Sequence, residues 1–171
     1  MGVKEVIRSR RSIRKYQDKP ILQKKLETIF EMARLAPSAK NLQPWEFIVV
    51  QEANTRKRIA EGCKYGRFLS ECPAIIVGCG DAQLSPKWFI QDIFIAMEHI
   101  ALAAVEEGLG TCWIGAFDES EIRRLLGIPE NLKVIALMGL GFPDESPEPR
   151  SRKTLAEFIS YEKWGKRNPE E

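Results

Sequence analysis

Apolar and polar positions alternate along this chain with a period that changes from segment to segment. Val3, Val6 and Ile7 recur at helical spacing, which predicts a short opening helix. Over residues 21–36, Leu22, Leu26, Ile29, Phe30 and Ala33 mark an amphipathic stripe and a longer helix. Pro20 suits its start and Pro37 its end, because proline pre-sets φ and the residue before it avoids helical angles. Residues 45–50 (WEFIVV) are rich in β-branched and aromatic side chains and predict a strand. A polar helix over 54–61 is closed by Gly62.

The second half is more apolar. The run 74–78 (AIIVG) reads as a buried strand. Residues 87–107 carry the longest helical pattern. Ile93, Met97, Ile100, Ala101 and Ala104 form one stripe, but Phe89, Phe94 and Ile95 make other faces apolar too. Such a helix is buried in the middle of something or shared with a partner. Gly108 and Gly110 end it. Residues 111–117 (TCWIGAF) are strand-like, with Gly115 where a backbone or ligand could come close. Asp118 and Glu121 have the spacing of a capping box for a short helix through Leu126. Residues 134–140 (VIALMGL) form another buried strand. Pro143, Pro147 and Pro149 then make an extended linker, and a tail follows with Leu155, Phe158, Ile159, Tyr161 and Trp164. The pattern predicts a mixed sheet covered by helices. The 171 residues suit one domain, with a core over 3–142 and a linker and C-terminal arm over 143–171. The arm needs an apolar surface, on its own subunit or on a partner.

Composition narrows the function classes. Apolar residues are 44% and charged residues 29%, with a net charge of +2, too balanced to argue for nucleic acid. The opening residues hold no apolar run of signal-peptide length, and no stretch approaches a membrane span, so a cytoplasmic protein is expected. Cys63, Cys72, Cys79 and Cys112 include no C-x-x-C pair, and His99 is the single histidine, so no metal site is expected. Three of these cysteines lie beside or within apolar stretches and read as small buried hydrophobes in a reducing compartment.

Four stretches carry candidate chemistry, one of them the segment 113–116 (WIGA), where Gly115 admits a close ligand or marks only a bulge or packing position. Arg10, Arg11, Ser12 and Arg14 present planar, permanently charged forks and one hydroxyl, donors that suit a phosphate or an electron-rich ring edge. Arg10 and Arg14 share a face if the segment is helical, Arg10 and Ser12 if it is extended. A solvated basic turn is the competing reading. The segment 36–45 (APSAKNLQPW) lies between a helix and a strand, where Ser38, Asn41 and Gln43 offer neutral donors and acceptors to a ring edge. An ordinary serine turn competes with that. Arg150, Arg152 and Lys153 form a second basic group far along the chain. The G-L-G at 108–110 follows a helix and lacks a third glycine, which excludes a dinucleotide fingerprint.

The order and spacing of RRSIRKY, APSAKNLQPWEF, GLGTCWIG and RKTL resemble the FMN-dependent nitroreductase family, from about Val3 to Phe158. The resemblance implies an α+β fold, in an interlocked homodimer with FMN at the subunit interface and C-terminal segments embracing the partner. It implies that Arg10, Arg11 and Ser12 hold the FMN phosphate and ribityl region, with Arg14 near the pyrimidine side of the ring. Pro37, Ser38 and Asn41 would line the isoalloxazine from the other subunit. Gly115 and the backbone of Ile114 would approach the ring, and Arg152 with Lys153 would return to the phosphate. No side chain need act as acid or base. The implied activity is hydride transfer from NADH or NADPH through flavin N5 to a small electron-poor acceptor such as a nitroaromatic or quinone. A flavin-binding sensor or carrier without turnover is the alternative. The short 81–92 stretch leaves little room for the lid used by dehalogenating branches. Trp88 and Phe89 either border the substrate pocket or join the core.

Overall fold

The computed structural model describes residues 2–167; the rest of the expected arm, 168–171, lies outside the described residues. Helix α1 (Val3–Ser9) is followed by an extended stretch and by α2 (Gln23–Arg34). Strand β1 (Trp45–Val50) and helix α3 (Ala53–Glu61) come next. Then follow β2 (Ala74–Asp81), α4 (Phe89–Glu106), β3 (Gly110–Ile114), α5 (Glu119–Leu126), β4 (Leu132–Gly141) and α6 (Leu155–Phe158). Single helical turns occupy Ala39–Asn41 and Arg67–Ser70.

The sheet has the order β1-β2-β4-β3, and every neighbouring pair of these strands is antiparallel. Outside these four strands, one isolated parallel bridge, Ser12 to Thr111, joins the arginine stretch to the free edge of β3. The pleat sends alternate residues to opposite faces. Ala74, Ile76, Met138 and Leu140 meet Ile93, Met97, Ile100 and Ala104 of α4, together with Leu26 and Ile29 of α2. Ile75, Val77 and Leu137 meet Ile59 of α3 and Ile122 of α5 on the other face. A register shift at Gly78 and Cys79 lets Val134 join that second cluster.

Helices α2 and α4 end within two residues of the expected bounds, and three strands differ from the pattern-based expectation. Strands β2 and β4 run longer, because the antiparallel ladder continues through their glycines. Strand β3 is shorter and ends at Ile114, since its ladder with β4 stops at Leu137; Gly115 therefore lies just past the strand. Asp118 does cap α5, accepting the N–H of Glu121 at 3.1 Å, and Gly127 closes the helix at φ 66°.

One side of α4 is buried, whereas Ile90, Phe94 and Ile95 on other sides are 39–45% exposed. The tail also lacks apolar cover. Leu155, Phe158 and Trp164 are 68%, 59% and 93% exposed. No helix of the described residues is long and apolar enough to cross a membrane.

Candidate functional site

The arginine stretch is extended, which settles its facing. Helix α1 ends as Arg10 leaves helical geometry at ψ 127°. Ile13 donates its N–H to Thr111 O at 2.9 Å and is buried at 5% exposure. With Ile13 turned into the core, Arg10, Ser12 and Arg14 alternate onto the outer side. Gly110 makes this approach possible. A Cβ there would stand 2.5 Å from Ile13 Cγ1. Arg11 folds back, its guanidinium donating to the carbonyls of Arg8 at 2.6 Å and Arg10 at 2.9 Å.

The chain beyond β4 returns to the same place. Gln17 N–H donates to Phe142 O at 2.9 Å, and Asp144 N–H to Lys15 O at 3.0 Å. The Glu145 carboxylate accepts the backbone N–H groups of both Arg14 and Lys15. This lacing carries residues 147–152 past the arginine stretch.

Between the two segments lies a cleft of about 410 Å³, lined by Ile7, Arg8, Arg10, Arg11, Ser12, Arg14, Pro147, Glu148, Pro149, Arg150 and Arg152. Six guanidiniums thus meet one carboxylate. None of the six takes part in an ion pair among the described residues. Permanent cations gathered in such excess over negative charge repel one another, and a dianionic, three-oxygen group relieves that repulsion while accepting forked hydrogen bonds. The donor set fits a phosphate.

Behind the cleft the groups are half-buried or buried. Tyr16 OH donates to Ile13 O at 2.6 Å, and burial pushes its phenol well above the usual range. Burial also raises the Cys112 thiol, against the opposing pull of Arg14 and a hydrogen bond with Ser12. All four cysteines are free and buried.

Of the residues the sequence singles out, Arg10, Arg11, Ser12, Arg14 and Arg152 come together. Lys153 follows Arg152 but does not line the cleft. Arg8 and Arg150 line it too. Arg8 carries a signal the motif does not show, its i, i+3 spacing to Arg11 across the end of α1.

Pro37, Ser38 and Asn41 lie in a separate loop that does not line the cleft of their own chain. Lys40, Asn41 and Gln43 there have φ of 53°, 56° and 51°. Asn41 N–H returns to Ser38 O at 3.0 Å, and Gln43 N–H to Ser38 Oγ at 2.9 Å. The loop is tied to α4 by Asp92, whose Oδ1 accepts Ala39 N–H at 3.1 Å. Ile114 ends β3 on the strand that carries Thr111, and Gly115 beyond it is open, with no atom within 4 Å of where a Cβ would stand.

A model described as the nitroreductase family matches residues 7–66 and 60–142. A candidate NADH dehydrogenase/NAD(P)H nitroreductase of Archaeoglobus fulgidus is 40% identical over 151 residues, covering 84% of this chain and 87% of that protein. A nitroreductase family protein from Clostridium novyi is similar in structure, with TM-score 0.81, 39% identity and 96% of each chain covered. An FMN-dependent nitroreductase from Clostridium difficile gives TM-score 0.85 at 31% identity, covering 93% of this chain and 98% of the other.

Proposed function

The chain belongs to the nitroreductase family, and on that premise we propose that it is an FMN-dependent NAD(P)H oxidoreductase that reduces small electron-poor acceptors. The observation that carries the reading is a cleft lined by six arginines and one carboxylate, with no ion pair made by those arginines among the described residues. When bound, FMN supplies a two-electron carrier that takes hydride from NADH or NADPH at N5 and passes it to an acceptor such as a nitroaromatic or quinone. The rest is the work of this chain's residues.

Arg10, Arg11 and Arg152 hold the phosphate by forked, charge-assisted hydrogen bonds, and Ser12 donates to the phosphate or ribityl oxygens. Lys153 adds charge from outside the cleft wall. Arg14, pinned through its backbone by Glu145, directs a permanent cation toward the pyrimidine edge of the ring. That charge opposes the negative charge the ring gains on reduction, so it favours the reduced side of the couple. Ile114 and the open backbone of Gly115 accept the ring at close range.

The site is completed by a second copy of the chain. Pro37, Ser38 and Asn41 line the ring from the partner subunit. The arm expected over 143–171 leaves its own subunit only past Arg152, since Glu145 and Arg152 stay with the chain's own arginine stretch; the crossing over 153–167 covers Leu155, Phe158 and Trp164. The exposed Phe94 and Ile95 of α4 join the same seam. The chain is one catalytic domain with its core over 3–142, and the linker beyond that core supplies Arg150 and Arg152 to the cleft.

The purified protein tests this simply. A yellow preparation that bleaches anaerobically with NADH or NADPH, and recovers colour with a nitroaromatic or quinone, is the expected result. A yellow protein that never bleaches is a flavin carrier or sensor instead.

A further inference from the structure

Helix α4 carries a buried acid in its first turn. Asp92 is 4% exposed and has no ion-pair partner among the described residues. Its Oδ1 accepts Ala39 N–H from 53 positions away in sequence. Its Oδ2 is buried with no hydrogen-bond partner among the described residues. A buried acceptor left unsatisfied is costly, and such atoms in a native fold call for a reason beyond stability.

The loop that Asp92 grips is strained. Three of its non-glycine residues, Lys40, Asn41 and Gln43, sit at left-handed φ, a region L side chains rarely enter. The bonds from Asn41 and Gln43 to Ser38 are internal to the loop. They fix its shape but not its place. Asp92 supplies the side-chain tie that fixes its place on α4. Strained backbone persists where the surroundings over-determine it, and it concentrates where a ligand must be met in one orientation.

We infer that Asp92 is a positioning residue that holds the 38–43 loop against α4, so that Ser38 and Asn41 meet the ring of the bound cofactor in a fixed orientation. The inference rests on the flavin reading given above. Asp92 touches neither cofactor nor substrate. It acts through Ala39.

Three variants test it: Asp92→Ala, Asp92→Asn and Ala39→Pro. Two readouts do not require turnover. Hydrogen exchange of residues 38–43 is measured on the apo-protein, and FMN affinity by quenching of flavin fluorescence. Asp92→Ala is expected to speed exchange in the loop and to weaken FMN by about tenfold or more, the scale of one lost charge-assisted hydrogen bond. Asp92→Asn keeps the Oδ1 acceptor and is expected to stay within about threefold of wild type. Ala39→Pro removes the donor and keeps the Asp92 side chain in the sequence, while the ring carbon that replaces the N–H pushes the carboxylate off the loop. Proline is accepted at the first position of a helical turn after an extended residue, and Ser38 is extended at φ −141° and ψ 156°. This variant is expected to weaken FMN as Asp92→Ala does, and it decides the matter if Asp92→Ala fails to fold.

Wild-type exchange and FMN affinity in Asp92→Ala would overturn the inference, as would equal damage in Asp92→Asn or wild-type affinity in Ala39→Pro. If the wild-type protein takes up no FMN, the flavin reading itself falls, and the inference with it. If wild type binds FMN and Asp92→Ala binds it equally, the inference falls alone.

Discussion

The carboxylate of Glu145 accepts the backbone N–H of Arg14, so a residue beyond the last strand fixes the course of the arginine stretch near the first helix. Lys15 N–H donates to the same oxygen at 3.1 Å. Glu145→Ala leaves both amides to water. The expected loss is about 1–2 kcal/mol, at the lower end for hydrogen bonds to a charged group because the site is partly solvated. For a chain of this length that lowers Tm by roughly 2–8 °C. Thermal melts of the apo-protein measure it, and Glu145→Gln, which keeps an acceptor, is expected to recover most of the loss.

Arg14→Gln removes the cation assigned to the pyrimidine edge. The potential of the bound flavin is expected to fall by about 30 mV or more, equal to about a tenfold change in a two-electron equilibrium. Reduction by NAD(P)H slows with it. An anaerobic titration against a reference dye gives the potential directly. An unchanged potential means that Arg14 has no such role.

Arg152 and Lys153 are neighbours in sequence, but Arg152 lines the cleft and Lys153 does not. Arg152→Ala is therefore expected to weaken FMN by roughly ten- to a hundredfold, the range for losing a charged hydrogen-bond donor. Lys153→Ala is expected to cost no more than about threefold, as a distant charge screened by salt. Fluorescence titrations of the two variants side by side make the comparison.

Gly110 and Gly115 make a second contrast. A methyl group on Gly110 would collide with Ile13, so Gly110→Ala is expected to destabilise the fold and displace the arginine stretch. A methyl group on Gly115 would meet nothing in the chain itself. Gly115→Ala is expected to melt like wild type and yet bind FMN more weakly, because the ring claims that space. Tm and FMN affinity, measured on both variants, separate the two effects.

Alkaline pH should destabilise the protein through its buried thiols. Burial pushes Cys72 from its ordinary value of 9.0 to about 12, and Cys63 and Cys79 to about 11. In the unfolded chain these thiols ionise from about pH 9 upward, where the folded chain still holds its protons. The unfolded state then binds fewer protons, so stability falls as pH rises from about 9 toward each folded value. Cys72 alone contributes a slope of about 1.4 kcal/mol per pH unit in that window. Denaturant melts from pH 8 to about 11 measure it, with a flat profile below pH 9 expected from these groups.

Periodicity was a good guide to the elements. The stripe from Leu26 to Ala33 and the runs around Ile76 and Leu137 report burial against neighbours, and burial is what made them helix and strand. The arginine cleft was legible in part, because Arg10, Ser12 and Arg14 share a side once the segment is extended. The choice between helical and extended was not local. It depends on Thr111 and Gly110, far along the chain. Gly115 looked like a strand residue because the ladder that stops at Ile114 belongs to β4, not to its own neighbours. Asp92 left no trace in the pattern. A buried acid whose partner is a main-chain N–H has no side-chain complement to search for.

The most direct measurement is a calorimetric titration of the apo-protein with FMN and, separately, with riboflavin, which lacks only the phosphate. Six arginines waiting for an anion imply that FMN binds one per chain and about a hundredfold or more tighter than riboflavin, the scale of two or more charge-assisted bonds. Equal affinity for the two flavins, or no uptake of either, would contradict the account.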